Sequence, residues 1–182
     1  PGVINTIVDL SSVKRFHGRK VIHTQTVADH SCRVAQLSFF LALEYYSGDI
    51  AKANYVSTLG LFHDFPEGLL KSDISSPVKF KNGIGEALKK LEHSVVSRTV
   101  SNKYLQDLMM EVGITETDRL LMKLADTLDF GLYAWEEANL GNNHMRSCID
   151  GFKLELEKYP ENLQQLDFVV ACVKIITESP DM

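Results

Sequence analysis

The spacing of hydrophobic and polar positions predicts helices along nearly the whole chain. Residues 26–47 and 49–64 carry apolar residues at helical intervals with aromatic residues on the flanks, so two long and mostly buried helices are expected there. Further segments of the same kind follow a Ser-Ser-Pro loop at residues 75–77. The predicted helices cover residues 26–47, 49–64, 85–101, 115–138, 144–158 and 162–177.

Local signals mark the ends of several of these helices. The sequence Thr-Glu-Thr-Asp at residues 115–118 has the form of a capping box, and Asp49 is a candidate cap for the helix that follows it. Pro66 forces a bend just after the second helix. Strand-like alternation is nearly absent, and only residues 19–25 form a short stretch that could be extended. The pattern predicts an all-α fold of about six or seven helices in one domain, residues 1–182.

The composition narrows the range of functions. At 45% hydrophobic and 24% charged, the chain is typical of globular proteins, and its formal net charge of −5 disfavours a broad nucleic-acid-binding surface. A small anionic substrate remains compatible with that charge, because a local positive pocket can form in an acidic protein. The three cysteines are widely spaced, which predicts free thiols in a reducing cytosol. Without a signal segment or a membrane-spanning apolar run, a cytoplasmic location away from membranes is expected.

One of the six histidines is directly followed by a carboxylate. His63 and Asp64 end a very apolar segment, where polar side chains cost desolvation energy unless something binds them. His30 stands in the first turn of the first long helix, and Asp126 interrupts an otherwise apolar helix. Two imidazoles and two carboxylates suit a borderline or hard divalent ion. These residues therefore predict a metal site built from three helices.

The order of these four residues resembles the HD-domain metal-dependent phosphohydrolases, in which an isolated histidine precedes a His-Asp pair and a distant aspartate. The sequence is most similar to the small bacterial 5'-deoxynucleotidases and to related phage deoxynucleotide triphosphohydrolases. The matching segments are Lys-Arg-Phe at 14–16, Thr-Val-Ala-Asp-His-Ser at 26–31, Leu-Phe-His-Asp-Phe-Pro-Glu at 61–67, Lys-Ser-Asp-Ile-Ser-Ser-Pro-Val-Lys at 71–79, Lys-Leu-Ala-Asp at 123–126 and Gly-Asn-Asn at 141–143. The resemblance implies an HD-domain helical bundle that hydrolyses phosphoric esters.

The resemblance also implies roles for individual residues in the reaction. It makes the metal ligands His30, His63, Asp64 and Asp126, and the ion a divalent metal such as Co²⁺, Mn²⁺, Zn²⁺ or Mg²⁺. Glu67 would position or deprotonate the attacking water, since a carboxylate near a cation suits that role. Asp73 would lie near the sugar or the attacked phosphate.

Four residues are expected to contact the substrate. Arg15 can grip phosphate oxygens through two N–H groups, and Lys79 can bind phosphate as a point charge. His17, like His23, flanks the proposed pocket entrance. Members of the family usually carry a tryptophan directly after the arginine, where it stacks on or lines the base or sugar. Phe16 occupies that position here, and because it lacks the indole N–H and some area, a base preference does not carry over.

Other polar residues have a plain structural interpretation. Asp129 lies one turn beyond Asp126 and could support the metal site from outside, but another hydrogen-bond donor would satisfy it equally well. His93 and His144 are expected to be structural or surface residues. Trp135, the one tryptophan, is expected to pack in the core.

Several functions remain open at this point. The leading hypothesis is a 5'-deoxynucleotidase, which converts a deoxynucleoside monophosphate to the deoxynucleoside and phosphate. The first alternative is a triphosphohydrolase of the dATP type, which releases tripolyphosphate. Hydrolysis of a cyclic or signalling nucleotide is disfavoured because such HD enzymes usually carry further domains or histidine ligands. A non-enzymatic helical protein that binds a metal or a nucleotide is the remaining alternative. The family tends to form homo-oligomers, so a dimer or larger assembly is expected.

Overall fold

A computed structural model describes residues 2–73 and 84–178 of the chain. These residues form ten α-helices and one short 3-10 turn. The bounds are α1 Gly2–Leu10, α2 Val27–Tyr45, α3 Ile50–Phe62, α4 Phe65–Leu70, α5 Ile84–Thr99, α6 Lys103–Met109, α7 Glu116–Asn139, the 3-10 turn Asn143–Met145, α8 Arg146–Leu156, α9 Glu161–Gln164 and α10 Asp167–Thr177.

The all-α prediction is confirmed, and the six helices of eleven residues or more are the six that the sequence predicts. Residues 2–73 and 84–178 contain no strand, and the stretch at 19–25 is an irregular loop next to a single bridge between Lys14 and Thr26. The sequence did not predict α1, α4 or α6, and it predicted α9 and α10 as one helix over residues 162–177. Segments of four to nine residues contain too few turns for a periodic pattern to stand out.

The core lies between α2, α3 and α7, which bury side chains such as Leu41, Val56 and Leu124 completely. Gly60 allows α2 and α3 to approach closely. A Cβ at this position would lie 2.7 Å from Ser38 Oγ and 3.1 Å from the carbonyl oxygen of Val34. Gly60 is one turn before His63, and Val34 is one turn after His30. The close approach therefore brings the two histidines towards each other.

Capping side chains fix where the site-bearing helices begin. Thr26 and Asp29 form a capping box at the start of α2, one residue before His30. At the start of α7, Thr115 caps the helix as predicted, because the backbone N–H of Asp118 donates to Thr115 Oγ1 over 3.1 Å. Asp49 caps α3 as expected, accepting the N–H of Lys52 over 3.0 Å.

A sharp bend follows α3, as the proline at position 66 predicts. Two residues, His63 and Asp64, separate α3 from α4, and the proline stands in the first turn of α4. Helix α4 packs on α1 through Gly68, at which a Cβ would lie 2.8 Å from a methyl carbon of Leu10. Among the described residues, no helix has the length and apolar character that crossing a membrane requires.

Candidate metal centre

Side chains from α2, α7 and the α3–α4 corner converge on one point. The Nε2 atom of His30 lies 3.2 Å from His63 Nε2, 3.4 Å from Asp64 Oδ2 and 3.2 Å from Asp126 Oδ1. His63 Nε2 lies 3.3 Å from Asp64 Oδ2. The three residues His30, His63 and Asp64 place one ligand atom each within 4.8 Å of the others, and Asp126 joins them through His30.

The burial of these side chains shows where the site opens. The His30 side chain is 0% exposed and that of Asp64 is 18% exposed, whereas the Asp126 side chain is 42% exposed. Among these side chains, that of Asp126 is the most accessible to solvent. The remainder of the site is enclosed by α2 and the α3–α4 corner.

Both imidazole rings turn the same nitrogen towards the centre. His63 Nδ1 lies 2.7 Å from the carbonyl oxygen of Gly60, and His30 Nδ1 lies 2.6 Å from Asp129 Oδ2. The carbonyl oxygen of Gly60 can only accept, so His63 Nδ1 carries a proton and donates it. His30 Nδ1 lies between an acceptor, Asp129, and a donor, Arg15 Nη1, which is 2.5 Å away. In both rings Nε2 is the nitrogen that faces the centre and that would bind a metal ion, which is the usual arrangement of metal-binding histidines.

The electrostatics of the centre favour positive charge. Burial lowers the pKa of His30, and so does the nearby Arg15, but hydrogen bonds to Asp126, Asp129 and Asp64 raise it to about 10. Burial raises the pKa of Asp64, yet the charge of His63 and the hydrogen bond from His30 hold it well below its usual value. The carboxylates therefore stay ionised and draw a cation between them.

The donor set fits a divalent metal ion. Ligand atoms about 2.1 Å from a common ion are separated by roughly 3.0–3.4 Å in octahedral or tetrahedral coordination. The distances from His30 Nε2 to its three neighbours fall between 3.2 and 3.4 Å. Two imidazole nitrogens and two carboxylate oxygens suit ions of borderline or hard character.

Asp129 supports the centre from behind. Its side chain is completely buried and accepts hydrogen bonds from His30 Nδ1 and, over 2.6 Å, from Arg33 Nε. Gln25 Nε2 donates to it over 3.0 Å and Arg15 Nη1 over 3.3 Å. Of the two interpretations that the sequence left open for Asp129, the structure shows the one in which it contacts a predicted ligand.

Arg15 and Phe16 lie on the loop between α1 and α2, which packs on α7. Arg15 Nη2 is 4.0 Å from Asp126 Oδ1, so the guanidinium borders the centre at its open side. The ring of Phe16 stacks on Tyr133, with centroids 4.7 Å apart, and the guanidinium carbon of Arg15 lies 5.2 Å from its centroid. Phe16 has a positive φ of 57°, a conformation that costs energy for a bulky residue and that the surrounding contacts must hold.

The other predicted residues are placed less closely around the centre. Glu67 is buried in α4, one turn after Asp64, and its N–H donates to the Asp64 carbonyl oxygen over 3.0 Å. Asp73 is half-buried in the segment after α4. The structure leaves His17 exposed and brings it into no described contact with the four central side chains. Lys79 lies outside the described residues.

Three residues that shape the site do not stand out in the sequence: Gln25, Arg33 and Glu137. The first two hydrogen-bond to Asp129. Glu137, completely buried, accepts the N–H groups of Ile22 and His23 over 2.7 and 2.6 Å. The spacing in the sequence indicates that Arg33 lies near His30, because it follows His30 by three residues on the same helical face. Glu137 carries a weaker signal, since it is eleven residues, or about three turns, after Asp126.

The chain matches known proteins over most of its length. The family model described as "5'-deoxynucleotidase YfbR-like" matches residues 3–175. A 5'-deoxynucleotidase of Photobacterium profundum is 28% identical over 159 residues, which cover 82% of this chain and 79% of the relative. A 5'-deoxynucleotidase of Enterobacter sp. is 31% identical over 144 residues, covering 74% and 71%.

Solved structures share the fold. An HD-domain phosphohydrolase from Listeria innocua superposes with a TM-score of 0.70 at 18% identity, and 96% of each chain is covered. The PH0347 protein from Pyrococcus horikoshii gives a TM-score of 0.69 at 20% identity, covering 95% of this chain and 98% of the other. At such identities the likeness concerns the fold alone.

Proposed function

Because the chain belongs to the YfbR-like 5'-deoxynucleotidase family, we propose that it is a metal-dependent enzyme which hydrolyses deoxynucleoside monophosphates to deoxynucleosides and orthophosphate. The observation that carries this proposal is the convergence of two imidazole nitrogens and a carboxylate oxygen within 4.8 Å of one another. Residues 1–182 act as one HD-type domain in this proposal, and the protein works as a homo-oligomer.

The proposed ligands are His30, His63, Asp64 and Asp126. A divalent metal held there would lower the pKa of bound water and polarise a phosphoryl oxygen. The ligands themselves leave an open side at the half-exposed Asp126, where a phosphate monoester can enter. The proposed ion is one of Co²⁺, Mn²⁺, Zn²⁺ and Mg²⁺.

Residues around the centre divide the remaining tasks. Arg15, 4.0 Å from Asp126, binds and orients the phosphate at the open side. Glu67, buried one turn after Asp64, holds or accepts the proton of the attacking water. Asp73 and Lys79 contribute from the segment after α4, while Phe16 and His17 line the side of the nucleoside.

The proposal is tested by incubating the purified protein with single deoxynucleotides and each of the four metals. We expect orthophosphate from deoxynucleoside monophosphates, measured by phosphate release and by ³¹P NMR. Release of tripolyphosphate from a deoxynucleoside triphosphate, without orthophosphate from any monophosphate, would replace the proposal by the triphosphohydrolase alternative. If neither the monophosphates nor the triphosphates give a product, the remaining hypothesis is a non-enzymatic binding protein.

A matched pair of variants shows whether the metal centre causes the activity. His63→Ala with Asp64→Ala removes an adjacent imidazole and carboxylate from the centre. Glu92→Ala with His93→Ala removes the same two groups from α5, outside the proposed ligand set. We expect the first variant to lose turnover and the second to keep it.

A further inference from the structure

The loop between α1 and α2 is unusually cationic for this protein. Six of the ten residues at positions 14–23 are basic or imidazole side chains, and none is a carboxylate, although the formal net charge of the whole chain is −5. They are Lys14, Arg15, His17, Arg19, Lys20 and His23. Among the arginines and lysines of this loop, Arg15 is the one to which we assign a role at the metal centre.

Two of the remaining cations line a cavity outside the metal centre. Arg19 and Lys20 form it together with His144 and Met145 from the turn between α7 and α8, and its volume is about 300 Å³. A neighbouring cavity of about 280 Å³ shares Lys20 and His144 and continues along Val21 and Gly141. Volumes of this size accommodate a small organic ligand.

The described part of the chain places no carboxylate in an ion pair with the positive charges of this cavity. Within residues 2–73 and 84–178, no carboxylate forms an ion pair with Arg19 or Lys20, whereas Arg15, Arg33 and Arg119 all pair with carboxylates. Arg19 donates instead to the sulfur of Cys148 over 3.2 Å. Sulfur is a weak acceptor, so the guanidinium keeps most of its hydrogen-bonding capacity for a ligand.

The walls of the cavity are fixed to each other before any ligand arrives. Asn142 Nδ2 donates to the carbonyl oxygen of Lys20 over 2.9 Å and to Glu137 Oε2 over 2.7 Å. Glu137 in turn accepts the backbone N–H groups of Ile22 and His23. A preformed site of this kind loses little conformational entropy on binding.

We propose that this cavity binds the phosphate chain of a nucleotide, as an anion site separate from the metal centre. Arg19 and Lys20 supply the positive charge and His144 supplies a ring N–H. The partly exposed side chain of Val21 offers apolar surface to the nucleoside. The site goes beyond the proposed hydrolysis, because it binds an anion without reacting with it.

The test uses inorganic tripolyphosphate as the probe and dATP as the nucleotide. Each is titrated into the metal-free protein, in which tripolyphosphate has no metal ion to chelate and dATP is not hydrolysed, while the ring signals of His144 are followed by NMR and the affinity is measured by calorimetry. We expect the His144 signals to move saturably with both ligands, and dATP to bind more tightly than tripolyphosphate because of the apolar wall. Unmoved His144 signals would overturn the proposal.

A matched pair of double variants separates specific binding from a general charge effect. Arg19→Gln with Lys20→Gln removes two exposed charges from the cavity, and Lys89→Gln with Lys90→Gln removes two exposed charges from α5. We expect the first variant to bind tripolyphosphate about tenfold more weakly or worse, and the second to change by less than about twofold. Equal weakening in both variants would overturn the proposal.

The same variants show whether the cavity is separate from the substrate site. We expect Arg19→Gln with Lys20→Gln to hydrolyse a deoxynucleoside monophosphate with unchanged kcat and KM. A rise in KM that matches the loss of tripolyphosphate affinity would make the cavity part of the substrate site and overturn its separateness. Since the NMR signal of His144 is read without turnover, a failure of the proposed hydrolysis would not affect this result.

Discussion

The loop at residues 14–23 has an inner side, which faces the metal centre, and an outer side, which faces the cavity at Arg19 and Lys20. The positive charges on the two sides differ in whether a carboxylate pairs with them. On the inner side, Arg15 contacts the buried carboxylate of Asp129, which also accepts from His30. On the outer side, Arg19 and Lys20 line a cavity and pair with no described carboxylate. Internal counter-charges hold the groups of the proposed metal centre in place, whereas cations without them are available to a ligand from solution.

Removal of a central imidazole is expected to have the largest effect. His30→Ala deletes the group whose Nε2 lies within 3.4 Å of His63, Asp64 and Asp126. Since loss of a metal ligand costs several kcal/mol of transition-state stabilisation, we expect kcat/KM for a deoxynucleoside monophosphate to fall about 10³-fold. His144→Ala, on the outer side of the loop, is the control and keeps its turnover. A loss below tenfold in His30→Ala would remove this residue from the proposed ligand set.

Asp129→Asn is expected to have the next largest effect. It replaces the anionic acceptor of His30 Nδ1 by a neutral amide, which weakens the orientation of the ring and its basicity. Changes of this kind typically reduce metal affinity or activity about 10–100-fold. Metal affinity is measured by calorimetry on the metal-stripped protein.

Glu136→Gln provides the control for Asp129→Asn. Glu136 also accepts from Arg33, over 2.7 Å, but it makes no described contact with His30. We expect its metal affinity to stay within about threefold of the wild-type value. Equal losses in the two variants would show that Arg33, and not the contact with His30, carries the effect.

The pKa of His30 predicts how metal binding depends on pH. Its value of about 10 in the folded, metal-free protein lies above the ordinary 6.5, so its proton stabilises that form fully below about pH 6.5. This stabilisation is lost as the pH rises towards 10. A metal must displace the proton, so we expect its affinity to rise about tenfold per pH unit between pH 6 and 8. Calorimetry in two buffers of different ionisation enthalpy counts the released protons, and zero would show that His30 is already neutral.

Glu137→Gln is expected to affect the outer side of the loop more than the inner side. The carboxylate accepts two backbone N–H groups of the loop and the amide of Asn142, and a neutral glutamine can satisfy fewer of these donors. We expect the free energy of unfolding to fall by about 1–3 kcal/mol and tripolyphosphate binding to weaken a few-fold. Metal affinity is expected to stay unchanged.

Glu155→Gln is the stability control for Glu137→Gln. Glu155 is a surface residue whose exposed carboxylate pairs with Lys158. Its loss is expected to change the free energy of unfolding by less than about 0.5 kcal/mol. Thermal and denaturant unfolding of both variants measure the difference. A loss of metal affinity in Glu137→Gln would show that the two sides of the loop are not independent.

The long helices could be predicted from the sequence because each contains enough turns for its apolar stripe to repeat. The capping residues Thr115 and Asp49 stand where their side-chain chemistry predicts. The short helices α1, α4, α6 and α9 could not be predicted in the same way. Their formation depends on packing against the rest of the fold, as the contact of α4 with Leu10 shows.

The proposed metal ligands could be picked out from the sequence because polar side chains in apolar segments cost desolvation free energy unless something binds them. The structure brings these four residues together. A His-Asp pair closing an apolar helix and an aspartate within another lack a local partner, so they indicate a shared one. Gln25 and Glu137 carried no such signal, because their partners are backbone groups or side chains about a hundred residues away. Only the fold reveals that the loop is held on α7.

The central claim is that His30, His63, Asp64 and Asp126 hold a metal ion that makes the protein a phosphohydrolase. The most direct measurement is metal content after dialysis against each of the four divalent ions, by inductively coupled plasma mass spectrometry. We predict stoichiometric metal in the wild-type protein and in Glu92→Ala with His93→Ala, and its loss in His63→Ala with Asp64→Ala. Equal metal content in all three proteins, or none in the wild type, would contradict the claim.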